Sequence, residues 1–382
     1  MDGSVFLDAA RAALPADERD QRAAALSRFA ASGLPGPALE SWHYSDWTGL
    51  AERSFVAAPA GTAPTFPHDA AQPLRFSALD PVQRTTRFAL DDLNRALATE
   101  GVEKTLEGQA QRPFLIAQHV DAPQAMRHLR HQLKLAADAS ATLLLWDAPG
   151  SGSHDTLLTA VMTLELAERS QLTLIRVQQA DASATRALHL AATVAADASL
   201  HLIELHLGGA RVRQEVEVTL AAPGARFEQT GLTALKGKSR VDQRSHVWHA
   251  APHCTSASHA RLLAAEGTRA VLNAKVQVQP GAQKTDSETR IASLLLSNKA
   301  EIDAKPELEI YADDVKCAHG ASFGQLSPDA AFYLRSRGLS ADEAQALLTQ
   351  AFAQTALDVL PLPGLKAWAE GEVRALLAGT TA

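Results

Sequence analysis

The segment DDVKCAHGAS, residues 313–322, sets a thiol and an imidazole two positions apart, Cys317 and His319. In an extended strand, positions i and i+2 share a face and lie about 6.6 Å apart along it. Val315, Cys317 and His319 would then line one side, with Lys316 and Ala318 on the other. Thiolate and neutral imidazole are donors suited to zinc or iron. The plainer reading is an inert packed cysteine, because free Cys is among the most buried residue types. The spacing alone leaves both open.

The chain has only two cysteines, Cys254 and Cys317. An iron–sulfur cluster takes about four ligands, mostly thiolates, so a second chain would have to complete any such site. The densest histidine group is His246, His249, His253 and His259 around Cys254. Its spacing matches no closed zinc site. No Gly-rich phosphate loop, dinucleotide fingerprint, nucleophile elbow or H-E-x-x-H motif occurs. Asp313 and Asp314 are adjacent, so a strand points them to opposite faces, and they make a poor catalytic pair.

The elements that must position these residues come in three blocks: a helical region with a linker over residues 1–105, a β body over 106–325, and a helical region over 326–382. The first 100 residues read mostly as helix. Pro15 stands at a first helical position, and Gly33 and Pro35-Gly36 end the stripe of Ala24, Leu26, Phe29 and Ala30. Trp42, Tyr44 and Trp47 in ESWHYSDW read as a buried aromatic cluster. Residues 52–80 read as irregular, and DDLNRALATEG as a short helix ending at Gly101.

From about residue 112, short apolar or alternating runs are separated by Gly, Pro, Asp and Ser. Val212, Val216, Val218 and Leu220 alternate clearly, with Gln214 breaking the set. Ala-rich ASATRALHLAATVAADASL is ambiguous. PGAR at 223–226 and PGAQ at 280–283 hint at stacked turns. Sandwich, barrel and β-helix all fit this pattern. Toward the end, Ser327-Pro328 and the Ser340/Glu343 capping box start two helices, which Gly338 and Pro361 end. A last helix covers roughly 365–377. Helices at both ends suit an elongated body whose ends would otherwise expose strand edges.

The composition is 46% hydrophobic and 21% charged, enough to bury a core. A net charge of −7 without a basic stripe argues against nucleic acid. Too few cysteines for a disulfide framework suit a reducing compartment. No stretch reads as a signal peptide or membrane span, so the expected location is cytoplasmic.

The block from Lys305 to Phe352, KPELEIYADDVKCAHGASFGQLSPDAAFYLRSRGLSADEAQALLTQAF, resembles the SufB/SufD family of iron–sulfur assembly proteins. The carrying strings are PELEIYADDVKCAHGA and FYLRSRG; GAQKTDSETRIASLLLSNKAEID and ESWHYSDW are similar too. The length, the aromatic motif and the low cysteine count side with the SufD branch. The resemblance implies a mainly β fold, a right-handed parallel β-helix flanked by N-terminal and C-terminal α-helical regions. It implies a scaffold subunit rather than an enzyme, joined to SufB through the strand around Val315–Gly320. The SufC ATPase would dock on the C-terminal helices, around Phe332 to Phe352. A transient Fe–S cluster would be shared with SufB, with His319 and Cys317 as its cluster and metal ligands. A homodimer when alone is a further expectation, and a purely structural scaffold, with both residues merely packed, is the alternative. Gln214 stands where the family often carries asparagine.

Overall fold

The computed structural model describes residues 4–13, 19–58, 66, 71–78, 86–150, 152 and 154–377. Pro15 lies outside the described residues. Helices α1 (Ser4–Ala12) and α2 (Arg19–Ser32) come first. Strands β1 (Val56–Ala57), β2 (Gln72–Pro73) and β3 (Ser77–Ala78), then helix α3 (Asp91–Leu97), follow. After β4 (Glu100–Gly101) and β5 (Glu103–Leu106) the body begins with β6 (Phe114–Gln118), β7 (Ala125–Leu135), β8 (Ser140–Asp147), β9 (Thr156–Leu166) and β10 (Gln171–Gln178). It continues with β11 (Thr185–Val194), β12 (Ser199–His206), β13 (Arg211–Leu220), β14 (Arg226–Leu235) and β15 (Arg240–His249). It ends with β16 (Thr255–Ala264), β17 (Arg269–Val278), β18 (Asp286–Leu295), β19 (Glu301–Ile310) and β20 (Lys316–Gly324). Helices α4 (Pro328–Ser336), α5 (Ala341–Leu357) and α6 (Pro363–Leu377) close the chain.

Odd-numbered strands from β7 to β19 form one parallel sheet and even-numbered strands from β6 to β20 the other. The chain alternates between them and so climbs a parallel β-solenoid of about eight turns. Each turn takes roughly thirty residues, a solenoid period; Arg211, Arg240 and Arg269 stand in register on three successive turns. This confirms the mainly β expectation with helices at both ends. The Ala-rich stretch resolves into β11 and β12, because Leu188 and Leu190 point inward with period 2.

Between the sheets lies a core of Leu, Val and Ala that includes Leu143, Leu172, Leu200, Val216 and Val247. Gln214 breaks the alternation because the interior is polar there. It is buried and donates to Glu204, which also accepts from Gln229 at 2.7 Å and faces Arg176 at 3.5 Å. The outer face of the even sheet is apolar where α5 and α6 cover it, with Trp146, Val177, Leu205 and Leu232 against Ala356, Leu360 and Leu365. The N-terminal segment covers the odd sheet, placing Trp42, Trp47, Phe88 and Leu93 over Met126, Leu157 and Val161.

Each of the six turns leading from the odd to the even sheet between β7 and β18 holds one left-handed residue: Asp138, Arg169, Asp197, Gly224, His253 and Lys284. The amide of Asp197 donates to Pro223 O and that of His253 to Gln283 O, so these turns stack. PGAR and PGAQ both lie in this column but out of register: Gly224 takes the left-handed place, whereas Lys284, not Gly281, takes it two turns on.

Three N-terminal expectations need correction. Among the described residues 33–90, structure is mostly irregular, with two 3-10 turns, Glu40–Trp42 and Thr48–Glu52, and three two-residue strands. Trp42 and Trp47 are buried and meet edge to face at 5.4 Å, but Tyr44 points out. Gly101 does not cap a helix; α3 ends at Leu97 and Gly101 lies in β4, paired with Ser77. An added Cβ there would sit 1.6 Å from Arg130 O, which backbone cannot yield cheaply. Gly101→Ala is expected to destabilise the fold by about 1–3 kcal/mol, the usual cost of overpacking. Urea unfolding of the variant checks it; an unchanged midpoint would show that β4 moves aside freely.

Candidate functional site

Strand β20 is the last strand of the even sheet and pairs on one side only, with β18; Ser287 stands beside Cys317 and Thr289 beside His319. Cys317 and His319 share the inward parity, as the extended-strand reading expects. Among the described residues no further turn lies above them, so the inward face of this last turn opens to solvent. His319 is exposed; Cys317 is half-buried and packs with Val315 against the end of the inter-sheet core. Burial, followed by the Asp286 carboxylate, pushes the Cys317 thiol above its usual pKa. Beneath Cys317 a hydrogen-bonded chain links His249 Nε2, Ser256 Oγ and Ser287 Oγ, each step 2.8 Å.

Backbone alternation decides which amides remain free. The Lys316 N–H is spent on Thr285 O of the turn below, so N–H and C=O groups of Cys317, His319, Ala321 and Phe323 point to the open edge. On β19, the N–H groups of Glu301 and Tyr311 are spent inward on Thr268 and Val278. The open-edge set is therefore Ile302, Ala304, Pro306, Leu308 and Ile310, and Pro306 has no N–H to give. β19 also presents Glu301, Asp303, Lys305, Glu307 and Glu309 on its outer face. Proline and charge guard one edge, the usual means of preventing strand addition, and β20 lacks both beyond Lys316. Three large apolar side chains rim the opening, Ile310, Tyr311 and Phe323, the last two more than half exposed. Sequence reasoning missed this rim. Period-2 alternation marks Ile310 as core-facing, and nothing local says that the next layer is absent.

The histidine group does not converge. His246 stacks on Trp248 with ring centroids 3.5 Å apart, on the outer face of the odd sheet. His249 is buried inside, and His253 fills an exposed turn. His259 lies on the outer even face, 3.4 Å from Glu288. Cys254 is buried and its S–H donates to Ala222 O at 3.3 Å. Among the described residues, no three His, Cys, Asp or Glu side chains are grouped to hold a metal ion. Cys317 and His319 stand together on β20 without a third such side chain beside them among the described residues.

The C-terminal starts form as read. Ser327 Oγ accepts from Ala330 N at 3.3 Å, and Ser340 and Glu343 complete a capping box. α4 buries none of its residues and leaves Phe332 and Tyr333 exposed; Leu347 on α5 is exposed as well.

A parallel solenoid with helical covers over both sheets and an open last turn defines the class of fold. The chain belongs to the SufB/SufD family: the model for the SUF system FeS cluster assembly SufBD core domain matches residues 117–352. It is 37% identical over 209 residues to a Synechocystis iron–sulfur cluster assembly SufBD family protein, covering 54% of this chain and 46% of that one. It is 34% identical over 241 residues to the Escherichia coli iron–sulfur cluster assembly protein SufD, covering 63% and 56%. With the Bacillus subtilis SufD it shares 36% over 101 residues, covering 26% and 23%. The chain spans about half the length of the first two of these relatives. No described helix is long and apolar enough to cross a membrane.

Proposed function

We propose that the chain is a non-catalytic subunit of an iron–sulfur assembly complex, and that its last turn pairs with a SufB-type partner. A nascent cluster, the cargo, is built at that seam with His319 and Cys317 as this chain's donors. The observation that carries the reading is the open last turn, where both residues lie on an edge strand with unspent backbone groups. Strand addition there supplies main-chain hydrogen bonds, and the Ile310, Tyr311 and Phe323 rim supplies apolar anchoring. Alone, the same edge suits a second copy. Exposed Phe332, Tyr333 and Leu347 offer a SufC-type ATPase a landing face on α4 and α5, and the complex works in the cytoplasm.

The test is co-purification from cells expressing the chain with its SufB and SufC partners. Phe323→Asp and Tyr311→Asp are each expected to weaken the SufB contact by about 2 kcal/mol or more, the scale of a buried aromatic anchor. Retention of SufB by the double variant at the parent level would rule out this end as the joint.

A further inference from the structure

We infer that the cavity beneath the His43–Asp46 turn is a binding site for a phosphate-type oxyanion, held by a ladder of arginines. The cavity measures about 210 Å³ and lies against the outer face of the odd sheet, near the strand starts. Arg211, Arg240 and Arg269 line it from β13, β15 and β17, directly beside one another in register. Like charges opposite one another on paired strands are destabilising, so the column needs compensation.

The fold supplies a direct ion pair to one of the three. Arg269 is bound by Asp303 at 2.8 Å and by Glu301 at 3.3 Å. Two carboxylates line the cavity, and neither forms an ion pair with Arg211 or Arg240, although Asp46 attracts Arg211 from a distance. Asp242 is held by Arg213 at 2.7 Å, and Asp46 accepts from the Thr48 amide at 3.0 Å and hydroxyl at 2.6 Å. Among the described residues, no carboxylate reaches Arg211 or Arg240 to form an ion pair. Arg53 adds a further positive charge near Arg211, itself tied to Asp155. Burial and then that neighbouring charge hold the Arg211 guanidinium below its usual pKa, against the weaker pull of Asp46. Tyr44 closes the outer wall and lies 5.6 Å from the Arg269 guanidinium.

A guanidinium fork matches the geometry of phosphate oxygens, and two forks one strand apart can grip one anion from the same side. The volume leaves room for a small group carried on the phosphate. This explains why Tyr44 leaves its tryptophan neighbours: it walls this cavity instead of joining the buried cluster.

The experiment is calorimetric titration of inorganic phosphate and of AMP into the full chain at low salt, alongside thermal melts. Parent protein is expected to bind and to melt higher with ligand. Arg211→Ala with Arg240→Ala is expected to bind at least about tenfold more weakly, the loss of charge-assisted contacts. Without ligand, Arg240→Ala should melt no lower than the parent, because a repulsion has been removed. Tighter binding of AMP than of phosphate would assign the anion to a nucleotide-type ligand, and equal binding to a free oxyanion. Absence of binding, equal binding by the double variant, or a lower ligand-free melt for Arg240→Ala would each overturn the inference.

Discussion

His319→Ala is expected to abolish cluster build-up in the assembled complex while leaving the complex itself intact. Losing an outer-shell partner of a metal ligand costs about 10–100-fold in affinity, so loss of a direct donor should exceed that. The ring is exposed on a strand whose bonds to the proposed partner would run through the backbone, so truncating it would remove a donor without removing a strand. Imidazole in its neutral form is a ligand for iron. The measurement is anaerobic reconstitution of the co-purified complex, read by its visible absorption and by bound iron and sulfide. A normal yield from His319→Ala would leave only the structural scaffold reading. Cys317→Ser is expected to cost less, because burial holds that thiol protonated and metal binding must first displace the proton.

The second large effect is acid lability. His128, His131, His189 and His206 are buried, and burial lowers each to a pKa of about 3. Folded, they stay neutral; unfolded, they take protons near pH 6.5. Their contribution is complete above pH 6.5 and is lost as pH falls from there toward 3. Each histidine loses about 1.4 kcal/mol per pH unit in that window, so the four together remove on the order of 5 kcal/mol by pH 5.5. That equals the lower end of ordinary domain stability. Urea unfolding at pH 7.5, 6.5 and 5.5 should show a steep fall, and His206→Gln should flatten it by about a quarter. A stability independent of pH across this range would show that these rings do not gain protons on unfolding.

Much of the fold was legible because strand length and turn chemistry are local. Capping residues placed α4 and α5 correctly, and alternation placed β13. What locality hides is which turn is last. PELEIYADDV and KCAHGASFG read as strands like any others, yet exposure of His319 follows only from the absence of a layer above. The interior charges were equally hidden: Arg176 and Glu204 sit inside apolar runs, and only the register that places them side by side explains their burial. Tyr44 failed for the same reason, since its neighbours in sequence are buried and its neighbours in space are arginines from three turns.

Pro306 has a consequence for how large an assembly can become. A stack of parallel layers could in principle extend end on end without limit, as fibrils do. Here the far pole is already occupied by β4 and β5 lying along β7, and of the two strands at the near pole only β20 can accept a neighbour along its whole length. With the joint proposed above, growth would stop after a single joining event, giving a finite pair and not a polymer.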